Sequence, residues 1–585
     1  MSLNIIGISA FYHDSACCIL KDGQLVAAAE EERFSRIKAD PALPKHAFNY
    51  CLKTARLKIN EIDCIAYYEN PEKKLARQLW SGVVGSSRAI ESLDLKRRFE
   101  QQVRNVLGFE GEIRFVDHHI SHAASSFFFS GFDSAAIMTV DGVGEWATAT
   151  YGTGDKSGIN IFEEVEFPDS LGLLYSTITS YLGFGVNDGE YKVMGLAPYG
   201  QPLYTNKIRQ LITSTEKGQY RLDMKYFSFL NENSMYADEL PELLGMPPRT
   251  TDTDITQFHK DIAKSIQVVL EEILIEKATY LYNRTGNENL CMAGGVALNC
   301  VANGQVLRKS PFKQLFVQPA ANDAGGAIGA AAMSHFKITG VAPATRKMDH
   351  VYLGPSYTTP YINRLLSATA IHAGDFRGNK KFLLKTVASR LAEGQVIGWF
   401  NGRMEFGPRS LGARSILADP RNDGMRDRIN AMVKKREGFR PFAPAVLAES
   451  AAEHFDLHHD SPFMLETCQV ISPLHLPAIT HVDNSARVQT VSKETNASFY
   501  ELLQYFNDQT GCPILLNTSF NIKGEPIVCS PEDAIKCFIT TDIDALVLED
   551  FLIERSQNNF ELLKLLIQKD GIKASAISHD VYTFV

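Results

Sequence analysis

The sequence predicts a mixed α/β protein with more than one domain, and three observations lead there. Short apolar runs separated by glycine-containing turns open the chain and recur near residue 135. Helical patterns alternate with further short strands as far as about residue 336. Beyond about residue 340 the composition changes. The chain has 585 residues, 45% hydrophobic and 22% charged, with a net charge of −9. A balance near the globular average excludes disorder over most of the chain, and the acidic sum argues against a general nucleic-acid binder.

Asn4–Ser9 is an apolar strand, Phe11–Ser15 a polar turn and Ala16–Leu20 a second strand. Asp22-Gly23 turns the chain into a third, Gln24–Ala29, because glycine accepts the positive φ of a tight hairpin. The pattern returns as strand AAIMTV (135–140), turn DGVGE and strand WATATYGTG. Two such openings point to an internally duplicated α/β domain; two unrelated hairpins are the competing reading. His118–Ser130 reads as a helix with Asp117 at its N-cap. Residues 254–283 carry Phe258, Ile262, Ile266, Val269 and Ile273 at helical spacing. Leu290–Ala293 and Leu315–Val317 are strands, and an Ala/Gly-rich helix starts at Asp323. Lys337–Asp349 reads as a linker.

The ten cysteines include no C-x-x-C pair and sit in apolar stretches, so they read as buried residues of a reducing compartment rather than a disulfide or zinc framework. The N-terminal MSLNIIGISAF has no basic region ahead of its apolar run, so no signal peptide is expected. No window of about 18 residues is continuously apolar, so no membrane span is expected. A cytoplasmic protein is the expectation.

His118 and His122 are four apart, which puts both imidazoles on one helix face, where they can share a metal. With 15 histidines in 585 positions, chance alone supplies roughly 0.4 such pairs, so the spacing needs support from other ligands. Asp141, at the end of a strand before a glycine turn, and Asp323, where ANDAGG enters a helix, are placed to supply it; each could instead be a turn or cap residue. Two histidines and two aspartates suit Fe(II) or Mn(II). The turns Gly142-Val143-Gly144 and Gly294-Gly295 could offer backbone N–H groups to phosphate, although neither matches a nucleotide fingerprint. His13, in the turn FYHDSAC, could act as a general base oriented by Asp14, against a plain surface histidine.

Between residues 403 and 440 ten Arg/Lys face five acids, a local +5 that suggests a second domain built to hold an anion. Gly407-Pro408 and Gly412 present Arg409 and Arg414 from turning backbone, and Arg440 emerges from a rigid Phe/Pro segment, which suits bidentate phosphate recognition. Asn517, Thr518 and Ser519 are expected in a loop just after a strand Pro513–Leu516.

Taken together, GISAFYHDSACCIL, EEERFSRIK, HHISHAAS, TVDGVGE, YKVMGLAPYG, AGGVALNCVANG, ANDAGGAIGAA, FGPRSLGARSILADPR, KKREGFRPFAP and LNTSFNIKGEPIV resemble the O-carbamoyltransferases of the NodU/CmcH family. They run in order from residue 6 to about 528. The resemblance implies a duplicated actin/hexokinase-superfamily, TsaD-like N-terminal domain (1–340), a YrdC-like α/β C-terminal domain (350–555), and a helical tail (556–585) packing back on the N-terminal domain. It implies that carbamoyl phosphate and ATP give carbamoyl-adenylate and pyrophosphate in the second domain. A substrate hydroxyl then attacks the carbamoyl group in the first, and AMP leaves.

Carried onto this sequence, the resemblance makes His118, His122, Asp141 and Asp323 ligands of Fe(II), with Mn(II) the alternative, and His13 the base. Lys38, Asn299 and Asn303 become carbamoyl-adenylate contacts. Arg409, Arg414, Lys434 (or its neighbour Lys435), Arg440, Arg487, Asn517 and Ser519 become the ATP and carbamoyl-phosphate site, with Mg(II) accompanying ATP. Lys192 and Tyr199 receive no role. The departures, Cys17-Cys18, Ser410 and Ala413, remove no proposed catalytic group.

The expected partner is a small-molecule hydroxyl acceptor, a sugar or natural product of secondary metabolism, with no nucleic acid and no membrane, and with a homodimer implied by the family. Ser214–Thr251, where the family pattern fades, is expected to help form the acceptor pocket. The alternatives are a TsaD-like tRNA-modifying or sugar-kinase-like enzyme and a non-catalytic nucleotide-binding regulator.

Overall fold

The computed structural model describes residues 2–81, 95–231, 234–369, 371–434, 437–561, 563–564 and 582. They form two compact units, one from Met1–Glu31, Ala39–Met348 and Ala576–Val585, the other from Glu32–Lys38 and Asp349–Ser575. The helix expected in the tail lies largely outside the described residues, as does Lys435, and of Lys434 only the backbone is described.

The first unit contains β1 (Asn4–Ser9), β2 (Ala16–Lys21), β3 (Gln24–Glu30), β4 (Cys64–Tyr67) and β5 (Glu112–Phe115), followed by β6 (Ala135–Val140), β7 (Ala147–Asp155) and β8 (Gly158–Glu166). A two-stranded ribbon, β9 (Ile212–Ser214) and β10 (Tyr220–Leu222), precedes β11 (Asn289–Ala293) and β12 (Gln314–Val317). The sheets are ordered β3-β2-β1-β4-β5 and β8-β7-β6-β11-β12. In each, the opening strand pairs antiparallel with its hairpin partner and parallel with the next strand inward. The same order and the same sense at every pairing make this an internal duplication, and the reading of two unrelated hairpins falls. The opening strands β1 and β6 are buried along their whole length. That explains why they read as unbroken apolar runs rather than as alternating ones.

The Ala/Gly-rich helix spans Asp323–Thr339. A Cβ on Gly329 would overlap the Ser121 carbonyl oxygen, and one on Gly7 would overlap the Ala327 carbonyl oxygen. Small residues therefore let this helix lie directly against the helix His118–Phe127 and against β1. That close approach positions the candidate site. The chain stays helical to Thr339 and stops at Gly340, whose φ is +74°, so the first residues assigned to the linker belong to the helix end. The long helix is Gln257–Thr285, opened by Thr256, whose backbone N–H donates to His259 Nδ1. His118–Phe127 ends three residues before the sequence expectation.

The second unit holds β13 (Gly374–Asp375), β14 (Ile397–Phe400), β15 (Arg414–Ala418), β16 (Ala443–Leu447), β17 (Cys468–Gln469), β18 (Ser485–Ala486), β19 (Gln489–Val491), β20 (Ile514–Ser519), β21 (Ala545–Leu548) and β22 (Phe551–Glu554). Eight of these form one mixed sheet, β13-β22-β21-β14-β15-β20-β16-β19. Its core includes Trp399, Phe400, Leu417, Phe499 and Phe520. Asn517, Thr518 and Ser519, expected in a loop, lie inside β20, where each is paired with β15. The polar side chains hid the end of the strand, because ladder bonds need only the backbone.

All ten cysteines are buried. Among the described residues no helix is long and apolar enough to cross a membrane.

Candidate active site

The first candidate site is built where the duplicated sheets and the small-residue helix meet. Asp141 follows β6, and His118 and His122 project from the first two turns of their helix. Asp323 is the first residue of the helix packed against them. His118 Nε2 and His122 Nε2 stand 3.1 Å apart. Asp141 Oδ2 is 2.9 Å from His122 Nε2 and 3.3 Å from His118 Nε2, and Asp323 Oδ1 is 3.6 Å from both.

One donor atom from each of the four residues falls within 4.8 Å of all the others, and all four residues are buried. Two imidazole nitrogens aimed at each other with two carboxylates around them need a proton or a cation between them. The donor set and its convergence therefore fit a divalent metal. Burial alone would raise the Asp141 carboxyl, but hydrogen bonds and charge from His118 and His122 hold it well below the usual carboxylate range. Burial opposes protonation of His122, but the hydrogen bonds and charges of Asp141 and Asp323 outweigh it and push the imidazole up to about 9.

The surrounding polar groups hold this cluster in place. Tyr68 donates its hydroxyl to Asp323 Oδ2 at 3.2 Å. Glu145 accepts from the backbone N–H groups of Asn70 and His118, so a carboxylate occupies the positive end of the histidine helix. Burial pushes the Glu145 carboxyl up to about 7, against the attraction of His118. His119 Nδ1 lies 2.6 Å from the Thr139 hydroxyl, and burial beside the other two histidines pushes its ring well below the ordinary value. Asp117 sits at the helix N-cap, but its carboxylate pairs with Lys73 rather than capping. Neither Tyr68 nor Glu145 was singled out from the sequence; for Glu145 the acid closing the DGVGE turn was the available signal.

His13 Nδ1 is 2.6 Å from Asp14 Oδ2, which orients the ring and leaves Nε2 for a substrate proton. Burial lowers this imidazole, but Asp14, with Asp323 and Asp141 behind it, outweighs that and raises it to about 9. Three amides of the glycine turns are engaged within the protein. Gly142 N–H donates to Asp141 Oδ1, Gly144 N–H to the Ala147 carbonyl and Gly294 N–H to the Ala321 carbonyl. A Cβ on Gly144 would come within 3.0 Å of the His118 ring, and Gly295 lies against Asp141. These glycines admit the site's side chains.

Asn299 caps the helix Cys300–Lys309 by accepting from the Ala302 N–H, and its amide exchanges hydrogen bonds with Gln267. Asn303 is buried and donates to the Ala297 carbonyl. Lys38 groups with the second unit and lies 3.4 Å from Glu32. Lys192 lies over the Phe184 ring, and the Tyr199 carbonyl accepts from Gln257.

In the second unit the strand senses gather the basic residues at one end of the sheet. Arg414 begins β15, Arg440 shortly precedes β16, Arg487 shortly precedes β19, and Ser519 ends β20, which runs the other way. Arg409 lies in the loop entering β15. Asn517 donates to Gln489 Oε1 at 2.8 Å and to the Ser410 carbonyl, and Gln489 donates to the Leu411 carbonyl, so the strand ends are tied together. Glu405 accepts from the N–H groups of Leu411, Ala413 and Arg414 and shapes the same loop.

Arg414 lies inside the second unit. It is completely buried, with its guanidinium 3.6 Å from the Phe400 ring centroid. Its N–H groups donate to the carbonyls of Gly402, Ala413 and Pro355. That guanidinium frames the loop from inside, with Nη1 and Nη2 both donating to backbone carbonyls.

The chain thus joins a duplicated α/β unit carrying a buried His/His/Asp/Asp centre to a second α/β unit with basic residues at its strand ends. Residues 4–332 match the carbamoyltransferase N-terminus family and residues 388–555 the carbamoyltransferase C-terminus family. The chain is 45% identical over 595 aligned residues to an uncharacterized protein of Synechocystis sp., covering 94% of this chain and 97% of that one. It is 43% identical to nodulation protein NolNO of Sinorhizobium fredii, over 94% of this chain and 80% of that one. To the 3'-hydroxymethylcephem-O-carbamoyltransferase of Streptomyces clavuligerus it is 35% identical, over 45% of this chain and 48% of that one. The chain belongs to the NodU/CmcH family of carbamoyltransferases and is a transferase enzyme.

Proposed function

We propose that the protein is an ATP-dependent O-carbamoyltransferase working in two steps, the first in a YrdC-like domain at 350–555 and the second in the domain at 1–340. In the first, water hydrolyses carbamoyl phosphate to carbamate and inorganic phosphate, and a carbamate oxygen attacks the α-phosphorus of ATP. Carbamoyl-adenylate forms and pyrophosphate leaves. Arg409, Arg440 and Arg487, with Ser519 at the same end of the sheet and Lys434, would hold the phosphates, with Mg(II) accompanying ATP; fixed guanidinium groups suit that task. Asn517 and Arg414 would shape the loop around them.

In the second step an acceptor hydroxyl oxygen attacks the carbamoyl carbon. The bond from that carbon to the phosphate oxygen breaks, AMP leaves, and the hydroxyl proton passes to His13 Nε2 while Asp14 steadies the ring. Fe(II), or Mn(II), held by His118, His122, Asp141 and Asp323 would act as a Lewis acid on the carbamoyl carbonyl or the adenylate phosphate. Asn299 and Asn303 are assigned to the adenylate side. The acceptor is a small-molecule alcohol, a sugar or natural product, as the name of the cephem enzyme suggests for its own substrate.

The observation that carries this reading is the four-ligand centre within electrostatic reach of the Asp14-oriented His13. The test is pyrophosphate release from ATP with and without carbamoyl phosphate, in the absence of acceptor. Carbamoyl-phosphate-dependent release, lost in Arg440→Ala and kept in His118→Ala, is the expected result. Release of ADP instead, or no release despite bound ATP, would overturn the reading and favour a kinase or a regulator.

A further inference from the structure

Tyr582 is buried in the first unit, far along the chain from every residue of the site described above. A Cβ placed on Gly142 would overlap the Tyr582 hydroxyl, and Gly142 directly follows Asp141. On its other side the Tyr582 ring lies 5.9 Å from the Tyr12 ring, which in turn lies 4.2 Å from the His13 ring. Its backbone N–H is 3.3 Å from Met235 Sδ, and Met235 is completely buried. The phenol therefore lies by the turn that carries His13 and by the residue after Asp141, while the Tyr582 backbone meets Met235 of the Ser214–Thr251 segment. Glycine at 142 leaves the space that the phenol oxygen fills.

We propose that Tyr582 forms the acceptor-side wall of the carbamoyl-transfer pocket and keeps water off the carbamoyl-adenylate held there. This rests on the two-step reading above. A mixed anhydride of carbamate is attacked by water as readily as by an alcohol. The water oxygen bonds to the carbamoyl carbon, the bond to the phosphate oxygen breaks, and carbamate and AMP leave. A site that must hold such an intermediate until an alcohol arrives has to be closed on the side the alcohol enters, and an aromatic ring excludes water there without offering a strong nucleophile.

The experiment uses the full-length metal-loaded protein with ATP, carbamoyl phosphate and Mg(II), and no acceptor, in four forms: wild type, Tyr582→Phe, Tyr582→Leu and Tyr582→Ala. Pyrophosphate reports the first step and AMP the loss of the intermediate to water. The expected result is an unchanged pyrophosphate burst in every form, with AMP release rising about tenfold in Tyr582→Ala and staying within about twofold in Tyr582→Phe. Equal AMP release in wild type and Tyr582→Ala, with the burst intact, overturns the inference alone. Loss of the burst in both Tyr582→Ala and Tyr582→Leu also overturns it, because the residue would then be supporting the chain as a whole. No carbamoyl-phosphate-dependent pyrophosphate from the wild type overturns the two-step reading, and the inference with it.

Discussion

His122 and Arg414 are both completely buried cations-in-waiting, one in each unit, and their surroundings are opposite. His122 faces another imidazole and two carboxylates, groups that together attract a positive ion from outside the chain. Arg414 faces carbonyl oxygens of its own loop and the Phe400 ring, groups that are satisfied by the guanidinium already there. The first arrangement leaves a charge for a cation to balance, whereas in the second Nη1 and Nη2 are already taken up by backbone carbonyls. A buried charged residue therefore marks a binding site only where its partners leave a charge to be balanced.

The sharpest way to break the comparison is at the histidine. Replacing His122 with alanine should abolish stoichiometric metal binding, read by metal analysis of the purified protein. Carbamoyl transfer should fall about a thousandfold or more, since a Lewis acid supplies several kcal/mol of transition-state stabilisation. Pyrophosphate release should persist. Metal retained at one ion per chain in His122→Ala would remove this residue from the centre.

Arg414→Ala should act on stability instead. It leaves buried carbonyls unpaired and a cavity beside Phe400, which costs roughly 3 kcal/mol or more in denaturant unfolding of the second unit. Arg440→Ala should leave stability within about 1 kcal/mol and weaken ATP binding about tenfold or more, as loss of a charge-assisted phosphate contact does. Equal stability of the two variants would mean that the Arg414 hydrogen bonds contribute little.

His13 offers a subtler check. Without a divalent ion its imidazole is raised to about 9 by Asp14 and, behind it, by Asp323 and Asp141. A folded-state value above the unfolded one means a contribution to stability that is full below about 6.5 and is lost as pH rises through about 9. A cation bound between Asp141 and Asp323 offsets their pull, so metal addition should lower the His13 titration, measured by NMR of labelled imidazole. Carbamoyl transfer should then rise with pH through that lowered value, because a base must be neutral to accept a proton. A titration unmoved by metal would place His13 outside the field of the centre.

The smallest effect is expected at Asn299. Its side chain accepts from the Ala302 N–H at the start of a helix, so Asn299→Ala should cost about 1 kcal/mol in thermal or chemical unfolding. A much larger loss would show that the hydrogen bonds with Gln267 dominate.

Features set by neighbours along the chain were legible in the sequence alone. The strand β1 was read at its observed ends, and His118 and His122 were put on one helix face by the 3.6-residue period alone. The Ala/Gly helix beginning at Asp323 was legible for the same reason. What tertiary structure decided is everything that depends on how closely segments distant in sequence approach. Asp323 reaches the histidines because Gly329 lets two helices touch, and Asp141 reaches them because β6 ends beside the Gly294-Gly295 turn. Tyr68 and Tyr582 join the site across long sequence separations that no local pattern encodes.

The second unit shows the same division. Its basic composition was visible residue by residue, but the running directions of β15, β16, β19 and β20 are what collect Arg440, Arg487 and Ser519 at one sheet end. The Asn517–Ser519 run reads as a loop because side-chain polarity does not report backbone pairing, and the partners of the Arg414 guanidinium are settled only when the fold encloses it. Periodicity determines which face a side chain takes; the packing of distant backbones determines what that face meets.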